Sequence, residues 1–445
     1  MRSLFPNNNS LFNYLDQTDP LFDPFANFRP ADEAFSSATT AAIVVTASAT
    51  AQGAAATSNT GVKAAVAPLS DMLARETGGV LTYSGALAVL QDAAASPMTA
   101  SLFSQLTAAT KYLNVAGGVA ASAYVQQAFD DVVLGNSANA QWNGGANAAV
   151  ALGNLSASST QTQFNELIGK WFLGTDLPGV GVAPGVGGFY ATSYKTYSLP
   201  LFSGGAPKLT DVNQGQVGDC WYVSALGETA MLDPTLIEHL ITANGNGTYS
   251  VEFQVNGKAD YVTVNSQLST YNYLAQYSGS SMEFGNSTQS LWVPLFEKAL
   301  AQLSEQTGIT TGMQYAGGQD QYYELNSGMG EGVTLLTGQA CNAYALGGKS
   351  GASLTSLLGQ MQSDLAAGND VLLGTSPLAV SGNLIASHMF AVTSVNAAAG
   401  TIGLFNPWGA AALGVGKAES FTIGASALVA DQSCFYAASG HATVC

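Results

Sequence analysis

Apolar residues recur every three to four positions through residues 63–175, a spacing that predicts amphipathic helices. Gly-Gly pairs at 78–79, 117–118 and 144–145 separate these stretches. The apolar positions that carry the pattern are Val66, Leu69, Met72, Leu73, Leu87, Leu90, Ala94, Leu102, Leu106, Tyr124, Val125, Phe129, Val132, Val133, Phe164, Leu167, Ile168, Trp171 and Phe172. We therefore expect a small α-helical bundle of about five or six helices.

The pattern changes after Lys208. An apolar run from Trp221 to Leu226 predicts a helix, and alternating residues around Tyr249 and Tyr261 predict strands. Two further helices are expected at 291–305 and 351–367, and later strands at 370–373, 388–395, 401–405 and 419–423. Residues 208–445 are therefore predicted to form an α+β domain with a helical part and an antiparallel sheet part.

Two segments lack such periodicity. Residues 1–62 combine an Asn/Asp/Phe/Pro mixture with an Ala/Ser/Thr tract, and we expect a disordered arm there. Residues 176–207 are rich in Gly and Pro, which predicts a linker that is open to cleavage. The predicted order is thus arm, helical bundle, linker and α+β domain.

Composition narrows the classes of function. Only 9% of the residues are charged, and the net charge of −17 includes just 12 Lys and Arg. Nucleic acids and anionic membrane surfaces are bound by basic patches, so both are excluded as expected partners. No apolar run is long and pure enough to predict a membrane span.

The sequence gives less information about the cellular location of the protein. The residues after Arg2 contain no continuous apolar core, so no secretory signal peptide is expected. The acidic, lysine-poor composition resembles bacterial proteins exported without a cleaved signal, and we prefer an extracellular location over the cytoplasm. The pairing of Cys341, Cys434 and Cys445 is left open.

Residues 214–221 (QGQVGDCW) place a cysteine after a glycine-punctuated loop and before an apolar run. We expect Cys220 to begin a helix, where the positive end of the helix dipole favours the thiolate. Upstream, the Gln214 amide is predicted to donate to an oxyanion together with the Cys220 backbone N–H. This segment therefore predicts a nucleophile and an oxyanion hole.

A cysteine nucleophile needs a base and a group that orients the base. Of three histidines, His239 lies on an apolar helix and His441 in a polar tail, whereas His388 begins an apolar strand. Asn406 follows it, and its amide oxygen is predicted to hold the imidazole while Trp408 shields the hydrogen bond. The order Cys, His, Asn is that of papain-like proteases.

Several segments resemble those of the calpain family of papain-like cysteine proteases, and they occur in the family's order. Residues 214–221 match Q-G-x-x-G-D-C-W, and residues 406–409 match N-P-W-G. Residues 387–392 resemble G-H-x-x-x-V, with Ser387 in place of the glycine, and 291–299 resemble the W-x-x-L-x-E-K-A helix. Residues 208–436 are thus similar to a bacterial-type catalytic core, preceded by a separate helical region.

The resemblance implies a two-lobed α+β core with a cleft between the helical and antiparallel lobes. It implies a cysteine endopeptidase that hydrolyses protein or peptide substrates through a thioester. Cys220, His388 and Asn406 would be the triad, with Gln214 in the oxyanion hole and Trp408 and Trp221 in support.

Cofactors are the main open question. Animal members of the family assemble the cleft when acidic loops bind calcium, but residues 264–267 (VNSQ) here replace the usual paired aspartates. We carry no family calcium ligand over, and calcium dependence stays open. No Cys/His cluster has zinc spacing, so no metal site is expected and no cofactor is expected for the chemistry.

Alternatives remain for the activity and for the N-terminal region. The same thioester chemistry would serve an acyl transferase, and a catalytically idle binding or export module on this fold is a second alternative. The N-terminal region is either an intramolecular inhibitor, removed by self-cleavage in the linker, or a partner-binding module.

Overall fold

The described part of the chain begins at Gly79. The computed structural model describes residues 79–146, 149–179, 193–215, 217–271, 274–275, 290–306, 322–325, 328–377, 382–410, 412 and 416–438. The predicted disordered arm, the helix expected around Val66 to Leu73, residues 180–192 of the Gly/Pro-rich segment, His441 and Cys445 lie outside these residues.

Helices occupy both halves of the described chain. They are α1 Tyr83–Ala94, α2 Ala100–Thr110, α3 Ala123–Val133, α4 Gln161–Ile168, α5 Cys220–Leu232, α6 Pro234–Leu240, α7 Trp292–Leu303, α8 Glu331–Thr337, α9 Gly351–Ala366 and α10 Ala425–Ala430. A π-helical turn, Gly169–Leu173, continues α4. None of the helices in these ranges combines the length and apolar character that crossing a bilayer requires.

Helices α1 to α4 each begin at a hydroxyl side chain. Thr82, Thr99, Ser122 and Thr160 accept a hydrogen bond from the backbone N–H three residues ahead, which satisfies one of the free donors of the first turn. The apolar stripes predicted from the sequence then meet in one core, in which Leu90, Phe129, Phe164 and Phe172 are fully buried. The apolar spacing, the capping residues and the burial of apolar side chains all favour helices α1 to α4.

Strands form five sheets in the described residues. The strands are β1 Val80–Leu81, β2 Ala120–Ala121, β3 Gln141–Trp142, β4 Val150–Ala151, β5 Ser193–Thr196, β6 Ile241–Ala243, β7 Thr248–Val255, β8 Lys258–Asn265, β9 Gln267–Tyr271, β10 Leu274–Ala275, β11 Cys341–Ala345, β12 Val371–Gly374, β13 Met389–Asn396, β14 Thr401–Phe405, β15 Ser420–Gly424 and β16 Cys434–Ala438. The sheet orders are β1-β2, β3-β4, β10-β9-β5, β6-β7-β8 and β11-β16-β12-β13-β14-β15.

The six-stranded sheet is antiparallel, and its inner strands β12, β13 and β14 are buried on both faces. Because side chains alternate along a strand, Met389 and Ala391 of β13 enter the core that contains α5, whereas Phe390 and Val392 enter the core that contains α9. The sheet therefore separates two cores, and α5 packs directly on one face of it.

The structure confirms a mixed helix-and-sheet fold and most of the predicted elements. The helix expected at 291–305 is α7, the helix expected at 351–367 is α9, and the strand expected at 401–405 is β14. Residues 193–196, inside the predicted linker, instead pair with Gln267–Thr270 as β5. The predicted domain boundaries themselves stay predictions.

A buried lysine joins α7 to the end of β8. The Lys298 ammonium is fully buried and donates to the Asn265 carbonyl at 3.1 Å, the Asn265 Oδ1 at 2.8 Å and the Gln267 carbonyl at 2.9 Å. The ring of Tyr194 lies 5.8 Å from the same ammonium. A buried charge is tolerated only when its donors are satisfied in this way.

Replacing Lys298 with Met should lower the free energy of unfolding by about 3 kcal/mol, because buried oxygens lose their donor. The control is Lys258→Met at the exposed start of β8, with an expected change within about 0.5 kcal/mol. Urea denaturation measures both. Equal urea midpoints for the two variants would contradict this account.

Candidate active site

Helix α5 begins at Cys220, as the sequence predicts. The Asp219 carbonyl accepts the N–H groups of Tyr222 at 2.8 Å and Val223 at 3.1 Å, which starts the helix. The preceding loop is held by a hydrogen bond of 2.7 Å from the Gln214 N–H to the Pro407 carbonyl. The loop before the thiol thus contacts the loop that carries Asn406.

Helix α5 is attached to the six-stranded sheet by the Glu228 carboxylate. The last backbone pair of β12 and β13 is Leu372–Ala391, and the next two residues would be Val371 and Val392. Glu228 Oε1 accepts from the first of these N–H groups, that of Val371, at 2.9 Å. This hydrogen bond lies just beyond the end of the ladder and fixes α5 against β12, the strand next to β13 in the sheet.

Burial, together with the nearby Asp370 charge, raises the pKa of Glu228 well above its usual value. The Thr229 hydroxyl donates to Asp370 Oδ1 at 3.1 Å, which adds a second polar contact between α5 and the start of β12. The contact between nucleophile helix and sheet is therefore polar as well as apolar.

His388 precedes β13 and is held by Asn406 at the end of β14. The His388 Nε2 lies 2.9 Å from the Asn406 Oδ1, and both residues are buried. Because an amide oxygen only accepts, Nε2 carries the proton and Nδ1 keeps a lone pair. The Trp408 ring lies 5.1 Å from the imidazole at 55°, and the Phe390 ring meets it edge-on at 4.9 Å. These rings shield the hydrogen bond from water.

The loop after Asn406 approaches the nucleophile loop closely. Gly409 has φ +53°, and a Cβ there would lie 2.8 Å from the Val212 carbonyl oxygen. Only glycine fits both the left-handed backbone and this contact. The glycine of the Asn-Pro-Trp-Gly motif thus permits the contact between the two loops.

Ser387 adopts a conformation that favours glycine. Its φ is +51°, and its N–H donates to the Ser376 carbonyl at 3.0 Å. The Ser387 Oγ is a buried oxygen for which the described residues provide no hydrogen-bond partner. Strain of this kind is common beside functional residues, and here it lies immediately before His388.

The Cys220 thiol lies at the α5 N-terminus and faces the backbone amide of Met389. Burial raises its pKa to about 12 although the thiol keeps some exposure, and the nearby Asp219 adds to this rise. The backbone N–H groups of Trp221 and Cys220 lower the pKa of the thiol, but by less than burial raises it. The stabilisation of the thiolate by the helix N-terminus, expected from the sequence, is therefore present but smaller than the cost of desolvation.

Burial also lowers the pKa of His388 to about 4, against the Asn406 hydrogen bond, which raises it. At neutral pH this structure therefore holds a thiol and a neutral imidazole. Among the hydrogen bonds of the described residues, none joins the Cys220 Sγ to His388.

Gln214 is buried and its amide is already engaged. Its Nε2 donates to the Val217 carbonyl at 2.7 Å and to Asp219 Oδ1 at 3.3 Å. Both amide hydrogens are thus directed into the loop in this conformation rather than toward an oxyanion. The supporting residue Trp221 is fully buried and donates from Nε1 to the Leu325 carbonyl at 2.8 Å.

Comparison with known protein families matches about half of this chain. Residues 195–414 match the family model described as "Calpain family cysteine protease", and this range contains Cys220, His388 and Asn406. The chain carries a calpain-family cysteine protease domain.

Three similar proteins each match less than half of this chain, and the chain spans less than a fifth of the length of each. The calpain-type cysteine protease DEK1 of Arabidopsis thaliana is 29% identical over 214 residues, 47% of this chain and 9% of that protein. Calpain clp-4 of Caenorhabditis elegans is 31% identical over 129 residues, 26% of this chain and 17% of that protein. Calpain-A of Drosophila melanogaster is 28% identical over 139 residues, 28% of this chain and 16% of that protein. This homology supports a peptidase.

Sequence reasoning missed Glu228 as a residue of the calpain-family domain's site. The feature of the sequence that could have indicated Glu228 is a single carboxylate inside the apolar run of α5, a position where an unpaired charge is costly.

Cys341 and Cys434 are free thiols at opposite ends of the β11–β16 pairing. Within the described ranges, His, Cys, Asp and Glu side chains form no group of three suited to a metal ion.

Ser387→Gly should raise the free energy of unfolding by about 0.5 kcal/mol. A side chain in the left-handed region costs roughly 1–2 kcal/mol, and the greater unfolded-state entropy of glycine offsets roughly half of that gain. Ser387→Ala keeps the Cβ and should remain close to the wild type. Thermal denaturation compares the three proteins, and a destabilised Ser387→Gly would show that the serine is not strained.

Alkylation of Cys220 by iodoacetamide should accelerate about tenfold per pH unit from pH 7 to 10, because a thiol of raised pKa releases its proton only at high pH. Peptide mass spectrometry separates this label from labels on Cys341 and Cys434. A rate that is high and constant from about pH 5 to 8 would instead reveal a thiolate–imidazolium pair in the resting protein.

Proposed function

We propose that this protein is a cysteine endopeptidase in which Cys220 attacks the peptide carbonyl and His388 transfers the proton. The observation that carries the proposal is the shielded 2.9 Å hydrogen bond between His388 and Asn406, on the strand against which the Cys220 helix packs. The nucleophile is attached to α5, and the base and the orienting group to β13 and β14 of the sheet to which Glu228 bonds α5.

The chemistry follows from these atoms. His388 Nδ1 takes the thiol proton, and the Cys220 sulfur attacks the carbonyl carbon. The tetrahedral oxyanion collapses to a thioester as the amine leaves with the proton from His388. Water, deprotonated by the same imidazole, then hydrolyses the thioester and regenerates the thiol. Asn406 keeps the imidazole in the tautomer that this cycle needs.

We also propose that substrate binding activates the site. The resting site holds a neutral pair because burial penalises both charged forms. An oxyanion beside the Cys220 N–H offers the Gln214 amide a stronger acceptor than the Val217 carbonyl. Rotation of this one side chain would then complete the oxyanion hole.

The chemistry is proposed to need no cofactor, because every proton transfer is assigned to a side chain. Calcium would act only on the arrangement of the two-lobed core that the family resemblance predicts. Self-processing in the Gly/Pro-rich segment, an inhibitory or partner-binding N-terminal region, a bacterial origin and secretion also stay predictions.

Two alternatives use the same residues differently. An acyl transferase would pass the thioester acyl group to an amine, which product analysis distinguishes from hydrolysis. An idle binding module would lack a reactive thiol. The shielded His388–Asn406 pair supports an active site over an idle one, because a buried imidazole is costly to keep without a role.

Cys220→Ser should hydrolyse casein at least about a thousandfold more slowly than the wild type, because His388 does not activate the serine hydroxyl as it does the thiol. Asn406→Ala should retain some activity, because Asn406 orients the base without forming a bond to substrate. Each protein is assayed with calcium and with a chelator, and the difference between the two rates shows whether hydrolysis depends on calcium.

Circular dichroism and the melting temperature serve as controls that the variants are folded. Undiminished hydrolysis by a folded Cys220→Ser protein would exclude Cys220 as the nucleophile. An inactive wild type whose Cys220 resists a cysteine-directed affinity probe would favour the idle module.

A further inference from the structure

Residues 79–179 precede the family match, yet they pack against strands inside it. The match begins at residue 195. The side of the β6–β7–β8 sheet that they cover is called the docking face below. Its contact residues are Asn244, Asn246, Thr248, Asp260, Tyr261 and Thr263.

Two tyrosines make polar contacts with the docking face. The Tyr124 hydroxyl lies 2.8 Å from Thr263 Oγ1 and accepts from Asn244 Nδ2 at 3.2 Å, and the Tyr83 hydroxyl lies 3.0 Å from Thr248 Oγ1. The two rings stack with centroids 6.0 Å apart. Tyr124 and Thr263 are 8% and 1% exposed, so separation of the two parts would strip buried polar groups of their partners.

Residues 79–179 also bind the strand β8, in part through its backbone. Gln127 donates to Asp260 Oδ1 at 2.8 Å and accepts from the Tyr261 N–H at 3.2 Å. The Thr263 hydroxyl donates to the Trp171 carbonyl at 2.6 Å. Contacts from α3 and the π-helical turn therefore fix the register of the helical region on β8, while α1 contacts β7 through Tyr83.

A buried ion cluster joins the same two parts. The Lys170 ammonium lies 2.8 Å from Asp176 Oδ2 and is also paired with Glu305, just beyond α7. It donates to the Ala138 carbonyl at 2.8 Å. Lys170 and Glu305 are each 4% exposed, and separation would break the buried ion pair between them, which is strongly unfavourable.

Gly174 brings the two backbones together. It has φ +56°, and a Cβ there would lie 2.6 Å from the Val264 carbonyl carbon and 2.7 Å from the Asn265 nitrogen. Contact this close leaves no room for a side chain. The helical region and β8 therefore fit each other at backbone level.

We propose that residues 79–179 are a permanent structural subunit of the protease domain, and that they stay bound without the covalent link after the chain is cut between 179 and 193. The surface they fit is the docking face. In the described part of the chain, the hydrogen bonds and ring contacts of Cys220, His388 and Asn406 involve no residue of 79–179. The bound subunit thus leaves these three side chains uncontacted, and cleavage of the link yields a two-chain protein rather than a released inhibitor.

The test uses the full chain with Cys220→Ser, which removes self-cleavage, and a recognition sequence for a site-specific protease placed within residues 180–192. After cutting, size-exclusion chromatography at about 1 µM should give one peak containing both pieces, because retention requires a Kd below about 1 µM. Two separate peaks in non-denaturing buffer would overturn the proposal.

Gly174→Ala and Gly117→Ala form a matched pair for the same experiment. Both glycines have positive φ, at +56° and +77°, but nothing lies within 4 Å of a Cβ at Gly117. The cut Gly174→Ala protein should separate or bind at least tenfold more weakly, while the cut Gly117→Ala protein should co-elute. Equal behaviour of the two variants would show that backbone contact with β8 does not hold the pieces together.

Tyr124→Phe keeps the packing and removes one hydroxyl, so it remains informative if Gly174→Ala fails to fold. Dissociation of its cut form should be several-fold faster than that of the parent. Hydrogen exchange on the uncut chains gives a second readout: faster exchange of the β8 amides in Tyr124→Phe supports the proposal, and unchanged exchange with unchanged dissociation contradicts it.

Discussion

The arrangement of the candidate site depends on one buried carboxylate. Glu228 accepts the Val371 N–H where the β12–β13 ladder ends, and so fixes α5 on the six-stranded sheet. The thiol at the start of α5 and the imidazole before β13 therefore share one rigid reference. Apolar packing alone would allow α5 to slide along the sheet, because it lacks direction. The hydrogen bonds of Glu228 to Val371 and of Thr229 to Asp370 have a fixed direction and prevent this sliding.

The same low-polarity surroundings that organise the site also keep it neutral. Burial raises the thiol pKa and lowers the imidazole pKa, and the hydrogen bond from His388 to Asn406 offsets only part of the fall in the imidazole pKa. A neutral thiol is a weak nucleophile. The resting protein therefore protects its reactive sulfur by desolvation, and the Gln214 amide is likewise engaged within the loop until a better acceptor arrives.

Local chemistry could be predicted from the sequence, and long-range polar contacts could not. Helices α1 to α4 follow from apolar spacing and hydroxyl caps, and the positions of Cys220, His388 and Asn406 follow from short motifs. The role of Glu228 could not be predicted, because its partner is the backbone N–H of Val371, more than a hundred residues away in the chain. The hydrogen bonds of Gln214 depend on loop geometry, and nothing in the periodicity of α3 indicates that Tyr124 contacts Thr263.

The hydrogen bond between the Gln214 N–H and the Pro407 carbonyl has a consequence for the order of assembly. It joins segments that lie far apart in sequence, and such contacts form only after the intervening chain has folded. During synthesis the nucleophile loop emerges long before Pro407, His388 and Asn406 are available. The nascent chain therefore carries a thiol without its base, and reactivity can appear only once the last strands of the sheet have left the ribosome.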